Sequence, residues 1–292
     1  MNSLPRSELE RLAICLGRGL RRELALTPKP GLVDLVDNGS HPDLSLSLML
    51  ASCARVEGFF LELAGEISSG AGLDEQQALG RQAEQSLLTE FGTNTHKGAI
   101  FLGGLILNGA AQGSDLSPSM ISKGIAASAR TFFRRHSPVA TNGASVRAAY
   151  RCSGIVGEAC NGLPTLFEAA IPAFLTAIAH GQDLRQATYT MLAILMQAVE
   201  DSTTLHRGGL PGLQRVRQDG FTLQKLLAES KGWEKFLQDT NRDYCRLNLT
   251  MGGIADLLGM AFGYLEFMGC WPSIEDQAYT IIEADTTVFT NL

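Results

Sequence analysis

Leucines recur along residues 7–26, SELERLAICLGRGLRRELAL, at steps of three and four: Leu9, Leu12, Leu16, Leu20 and Leu24. That spacing lays a single apolar stripe along an α-helix. The same period recurs over 43–67, 99–111, 165–181, 184–201 and 254–269. Alternating β-branched runs bounded by turns are hard to find, so the pattern predicts an all-α protein. Several central segments are apolar on most faces, which predicts central helices wrapped by amphipathic ones. The stretches 107–120 and 136–146 are rich in Gly, Ser, Pro and Asn and read as loops. Neither is long enough to separate two domains, so residues 1–292 are expected to form one multi-helix domain. The face AFGYLEFMGCW (261–271) fits either core or a homo-oligomer interface.

Composition narrows the classes. Hydrophobic residues make up 45% of 292, enough for an extensive core. A chain of this size buries about 75% of its unfolded surface when it folds as one body. A net charge of −6 argues against nucleic acid or an anionic membrane as a general partner. Six cysteines are scattered with no CxxC pair, the pattern of reduced thiols. The opening MNSLPRSELERL lacks the basic-then-apolar order of a signal peptide, and no apolar run approaches the ~18 residues of a membrane span. The expectation is a cytoplasmic protein.

Five polar, glycine-containing stretches punctuate the helical pattern: TPKPGLVDLVDNGSHPD (27–43), GTNTHKGAI (92–100), GIVGEACNGLP (154–164), EDSTTLHRGGL (200–210) and NLTMGGIADLL (248–258). Four of them run into a helix. Helix N-termini offer unpaired N–H groups and a positive dipole end, and glycine lets a ligand approach the backbone. Lys29, Lys97 and Arg207 bring cations to these turns, suited to phosphate oxygens. Asp34, Asp37, Glu158, Asp201 and Asp256 bring carboxylates, suited to Mg²⁺ beside nucleotide phosphates or to base catalysis. Taken singly, each stretch also reads as a cap or a surface turn, with Thr93 or Thr95 capping the helix that starts near residue 97. A Walker loop, a Rossmann fingerprint, HExxH and GxSxG are all absent, so any nucleotide is held in a helical setting.

In their order and separation, LTPKPGLVD, GTNTHKGAIF, the GE-turn-P block, LHRGG and NLTMGGIADLL resemble the triphosphoribosyl-dephospho-CoA synthases, across roughly residues 24–260. The resemblance implies an all-α enzyme that takes ATP and 3′-dephospho-CoA and releases adenine. The triphosphoribosyl unit is joined to a ribose hydroxyl, making the prosthetic-group precursor for the acyl carrier subunit of citrate lyase or malonate decarboxylase. It implies a β to α change at the anomeric carbon, hence a single inverting displacement with one carboxylate taking the acceptor's proton. Carried onto this sequence, Lys29, Thr95, His96, Lys97 and Arg207 become candidates for binding the triphosphate, with the backbone of Gly208, Gly209, Gly252 and Gly253. Asp34, Glu158 and Asp201 are candidates for Mg²⁺ ligand or base, roles the sequence does not separate. Asp256 is a candidate for orienting a neighbour or binding ribose, and His206 for protonating adenine. The alternatives are a paralogue with another acceptor, or a nucleotide-binding regulatory protein that does not turn over.

Overall fold

A computed structural model describes residues 5–93, 95–113, 115–135 and 142–271, and every regular element among them is helical. The leucine stripe becomes α1 (Arg6–Ala25), with Leu9, Leu12, Leu16, Leu20 and Leu24 all buried. The other expected helices appear as α2 (Leu46–Ser68), α4 (Lys97–Gln112), α9 (Leu184–Ala198) and α12 (Gly252–Phe267). The segment 165–181 divides into a π-helical turn, Thr165–Ala170, and α8 (Ile171–Ala179). Six further helices complete the order: α3 (Leu73–Phe91), α5 (Pro118–Arg135), α6 (Asn142–Tyr150), α7 (Gly154–Cys160), α10 (Ser202–Ala228) and α11 (Trp233–Leu247).

The predicted loops shrink. α4 runs to Gln112 and α5 begins with Pro118 in its first turn, so only a short connection around Asp115–Ser117 remains of 107–120. In the second loop, 142–146 belongs to α6, and 136–141 lies outside the described residues.

α1 lies against α2 on one side and α12 on the other. The α1–α12 seam is closed by small residues. A Cβ on Gly19 would sit 2.2 Å from the Gly259 carbonyl, and one on Gly263 would sit 2.6 Å from the Cys15 carbonyl, so glycine is what allows the two backbones to touch. These pairings run antiparallel: as numbering rises along α1 it falls along α12. Arg18 and Arg22 both reach across the seam to Glu266, and Arg11 meets the Phe267 carbonyl at one end. The other end, near Glu23 and Asp256, opens on the polar cluster described below. Most of the 261–271 face is core, with Phe262, Tyr264, Leu265 and Phe267 buried and Trp271 stacked on Phe174. Among the described residues no single helix is long and apolar enough to cross a membrane.

Candidate active site

The segment between α1 and α2 is shaped by its own polar atoms. The buried Asp34 carboxylate accepts the backbone amides of Lys29 (3.0 Å), Val36 (2.8 Å) and Asp37 (3.1 Å), folding PKPGLVD into a turn. Asn241 of α11 accepts the Gly31 amide at 2.8 Å and donates to Asp37 at 2.9 Å. Ser40 donates to the Leu249 carbonyl at 2.6 Å. The first polar stretch is thereby fastened to the run that leads into α12.

Lys29 has no exposed surface, and its ammonium is bonded to Glu23, a buried carboxylate on the leucine face of α1. Burial pushes the Glu23 carboxyl upward, and Lys29 opposes that push. Lys29 also lies close enough to His96 to discourage a second positive charge there. Burial and Lys29 together bring the His96 imidazole down to about 4, so it is neutral at pH 7.

His96 and the threonines before it turn toward α2 and its approach. Thr93 donates to Asp43 at 2.7 Å; Thr95 shares a 2.5 Å hydrogen bond with Ser52, whose hydroxyl is also 2.7 Å from His96 Nδ1. The expected threonine cap is therefore corrected. His96 holds the N-cap position of α4 without a side-chain cap bond, because these hydroxyls are used to fix the loop.

What meets the first turn of α4 instead is Asp256, from one turn into α12. A Cβ on Gly98 would lie 1.9 Å from Asp256 Oδ2, so the carboxyl occupies the notch left by that glycine. Burial, then the neighbouring carboxylates of Glu23 and Asp201, hold the Asp256 carboxyl well above its usual range, and the Ala99 amide offsets part of this.

Asp201 is a buried bridge between two helices. Oδ1 accepts the Thr204 amide at 2.8 Å as the N-cap of α10, and Oδ2 accepts the Ile254 amide of α12 at 2.8 Å. Gly253 permits this: a Cβ there would come within 3.0 Å of Oδ2. Thr204 adds a 2.7 Å bond to the Thr250 carbonyl. One turn along α10, Arg207 donates to the Ser40 carbonyl (2.6 Å) and to Asn248 (3.0 Å), and lies 3.3 Å from His41 Nδ1. Burial and the Arg207 charge bring His41 down to about 4. Gly208 makes room for Leu249, Gly252 makes room for Thr203, and Gly209, at φ 59°, breaks α10 ahead of Pro211.

Of the residues singled out in the sequence, Lys29, Asp34, His96, Asp201, Asp256, Gly252 and Gly253 converge where α4, α10 and α12 begin. Arg207 and Gly208 stand beside them. Lys97 opens α4 but reaches out to Glu84 of α3 at 2.8 Å, half exposed. His206 is exposed on α10. Glu158 does not join the group: it accepts the Thr165 hydroxyl (2.6 Å) and amide (3.2 Å), tying α7 to the π-helical turn.

Asp34, Glu158 and Asp201, each a candidate for Mg²⁺ ligand or base, are not gathered around one point. Among the described residues no three His, Cys, Asp or Glu side chains are placed to hold a metal ion, and these three carboxylates already accept amides or a hydroxyl. Two members of the site escaped the sequence reading. Glu23 shows its signal as a charge falling on the leucine stripe, three residues after Leu20. Gly98 stands within the THKGAI motif, but its part appears only once Asp256 is seen against it.

The sequence model of the ATP:dephospho-CoA triphosphoribosyl transferases matches residues 9–271. The 2-(5″-triphosphoribosyl)-3′-dephosphocoenzyme-A synthase of Pectobacterium atrosepticum is 31% identical, over 85% of this chain and 86% of its own length. Similar proteins described as probable synthases of the same compound occur in Azotobacter vinelandii, 35% identical over 88% of this chain and 92% of the relative, and in Pseudomonas syringae, 33% identical over 87% and 90%. No solved structure is significantly similar. A match over nearly the whole chain, together with these relatives, places the protein in the family of ATP:dephospho-CoA triphosphoribosyl transferases.

Proposed function

We propose that the protein transfers the triphosphoribosyl group of ATP to a ribose hydroxyl of 3′-dephospho-CoA, releasing adenine. The observation that supports this most is the seat of Asp256: a carboxyl of raised proton affinity where the first turn of α4 meets the starts of α10 and α12. A base working near neutral pH needs a proton affinity above that of an ordinary carboxylate.

In this reading the acceptor oxygen attacks the anomeric carbon of the ATP ribose. Its proton passes to Asp256 as the new C–O bond forms. The bond from that carbon to adenine breaks, and its electron pair leaves with the base, which takes up a proton; exposed His206 is the candidate donor. Inversion follows from the single displacement. General base help of this kind contributes about 10²–10⁴-fold. Much of the remaining acceleration comes from holding the two substrates in register.

The triphosphate falls to the starts of α10 and α12. An α-helix begins with about four amides lacking helical partners, and Asp201 takes one from each of these two helices. The remaining amides suit phosphate oxygens, with Arg207 at the edge. Lys97 is exposed, and an exposed ion pair such as that with Glu84 is worth only about 0–1 kcal/mol, so a phosphate can draw the lysine away. Buried Lys29 serves the site from beneath. Magnesium enters as the complex with ATP, which suits an ion that keeps several waters and takes few protein ligands.

The product is then the prosthetic-group precursor of an acyl carrier protein of the citrate lyase or malonate decarboxylase kind. ATP and the CoA precursor are cytoplasmic metabolites, which supports a cytoplasmic location. Incubation with Mg·ATP and 3′-dephospho-CoA, following free adenine and the mass of the CoA species, tests the reading. Equal yields of adenine and adduct are expected, and adenine without adduct would discard this acceptor.

A further inference from the structure

We infer that Glu23, with Lys29 bonded to it, is a positioning residue for the reaction: it acts through its charge on Asp256 and touches neither substrate. The inference rests on Asp256 as the proton acceptor proposed above.

The geometry comes from the α1–α12 seam. A Cβ built on Gly259 would lie 3.7 Å from the Cβ of Glu23, so Glu23 stands directly against α12 at that position. Asp256 precedes Gly259 by three residues and so shares its face of α12. The seam runs antiparallel, and Glu23 is its last charged residue before α1 ends at Ala25. Glu23 and Asp256 therefore occupy the same end of the seam.

Energetics argues against a purely structural pair. Glu23 is 5% exposed and Lys29 is 0% exposed. A buried ion pair seldom stabilises more than apolar residues of the same volume. Leucine would continue the α1 stripe at position 23. A carboxylate kept there, with a lysine brought from the next segment to hold it, is explained by the charge it places beside Asp256.

Of the other charged groups around Asp256, Asp201 raises its carboxyl as well, with a smaller effect than Glu23. Asp201, from the start of α10, is bound to two backbone amides. At the start of α4, His96 is neutral at pH 7 and Lys97 turns to Glu84. α9 brings Arg185, paired with Glu234, and Tyr189, which donates to the Pro28 carbonyl at 3.1 Å. Around Glu23 itself, Lys29 is bonded to it and Asp34 adds repulsion.

Glu23→Gln keeps the shape and the acceptor for Lys29 but removes the negative charge. Its expected effects are a several-fold lower plateau of kcat and an acidic limb of the kcat/KM profile displaced to lower pH by about one unit. Glu23→Asp restores the limb. In an Asp256→Asn background, Glu23→Gln adds nothing further, as expected if one residue acts through the other.

If Glu23→Gln fails to fold around an unpaired lysine, Glu23→Gln with Lys29→Gln removes both charges and is expected to fold with the limb displaced in the same direction but by less, since the lysine's opposing charge is gone too. An unmoved limb in a folded variant overturns the inference. If the wild type makes no adduct, the proposed reaction fails, and the carboxyl ¹³C titration of Asp256 still decides this point without substrate. A midpoint lowered by Glu23→Gln supports the inference, and an unchanged midpoint overturns it.

Discussion

Asp201 accepts the amide of Ile254, 53 residues on, at 2.8 Å while its other oxygen caps α10 through Thr204, so one carboxylate fixes the starts of two helices. Asp201→Ala therefore removes a cap worth about 1 kcal/mol and leaves a buried amide unsatisfied at about 1–3 kcal/mol. The expected outcome is a melting temperature lower by roughly 5–10 °C. Asp201→Asn, which keeps an acceptor, is expected to lose less than half of that. Calorimetry of the two variants checks both statements.

Gly98→Ala separates function from stability. The new methyl would lie 1.9 Å from Asp256 Oδ2 and must drive the carboxyl out of its notch. Alanine in place of a helical glycine gains up to about 1 kcal/mol of helix propensity, which offsets part of the strain. We expect a melting temperature within a few degrees of wild type and kcat reduced by at least about 10²-fold, the lower range for loss of a positioned base. Near-wild-type kcat in Gly98→Ala would remove Asp256 from the chemistry.

His96 governs part of the acid sensitivity. Its folded-state value, about 4, lies below the ordinary 6.5. The unfolded chain therefore binds the extra proton first as pH falls, and stability declines from about pH 6.5 toward 4. The full effect is on the order of 3 kcal/mol. Raised carboxyls such as Asp256 and Glu23 act in the opposite direction, since the folded state holds their protons more tightly. Urea midpoints between pH 7 and 4, compared with those of His96→Asn, isolate the imidazole's share; the variant is expected to show a shallower decline.

Glu158→Gln is predicted to be mild. Its carboxylate is committed to Thr165, and an amide oxygen can still accept from that hydroxyl. Steady-state kinetics should show less than about a tenfold loss in kcat and an unchanged dependence on Mg²⁺ concentration. A loss as large as that of Asp256→Asn, or a raised requirement for Mg²⁺, would return Glu158 to the site.

The helical pattern was readable wherever one face was apolar. The α1 leucines and the apolar runs of α4 and α12 reported their elements directly. α3 did not, because Leu87 is its only fully buried residue and its charges surround it. α10 hid for another reason: Gly209 and Pro211 look like a loop but sit in a break between two helical stretches. In the site, glycine beside charge marked the right stretches, since those requirements are local. Roles were less visible. Glu158 carries the same marks as Asp201, yet one fastens a turn and the other joins two helix starts. Glu23 lies outside the polar stretches altogether, and only the antiparallel seam with α12 brings it to Asp256.

The most direct test is to incubate wild type and Asp256→Asn with Mg·ATP and 3′-dephospho-CoA, measuring adenine, the triphosphoribosyl adduct and ATP binding together. The expected result is equal adenine and adduct from the wild type, with both slowed by about 10²–10⁴-fold in the variant while ATP binding persists. Adenine without adduct from the wild type, or an undiminished rate in Asp256→Asn, would contradict it.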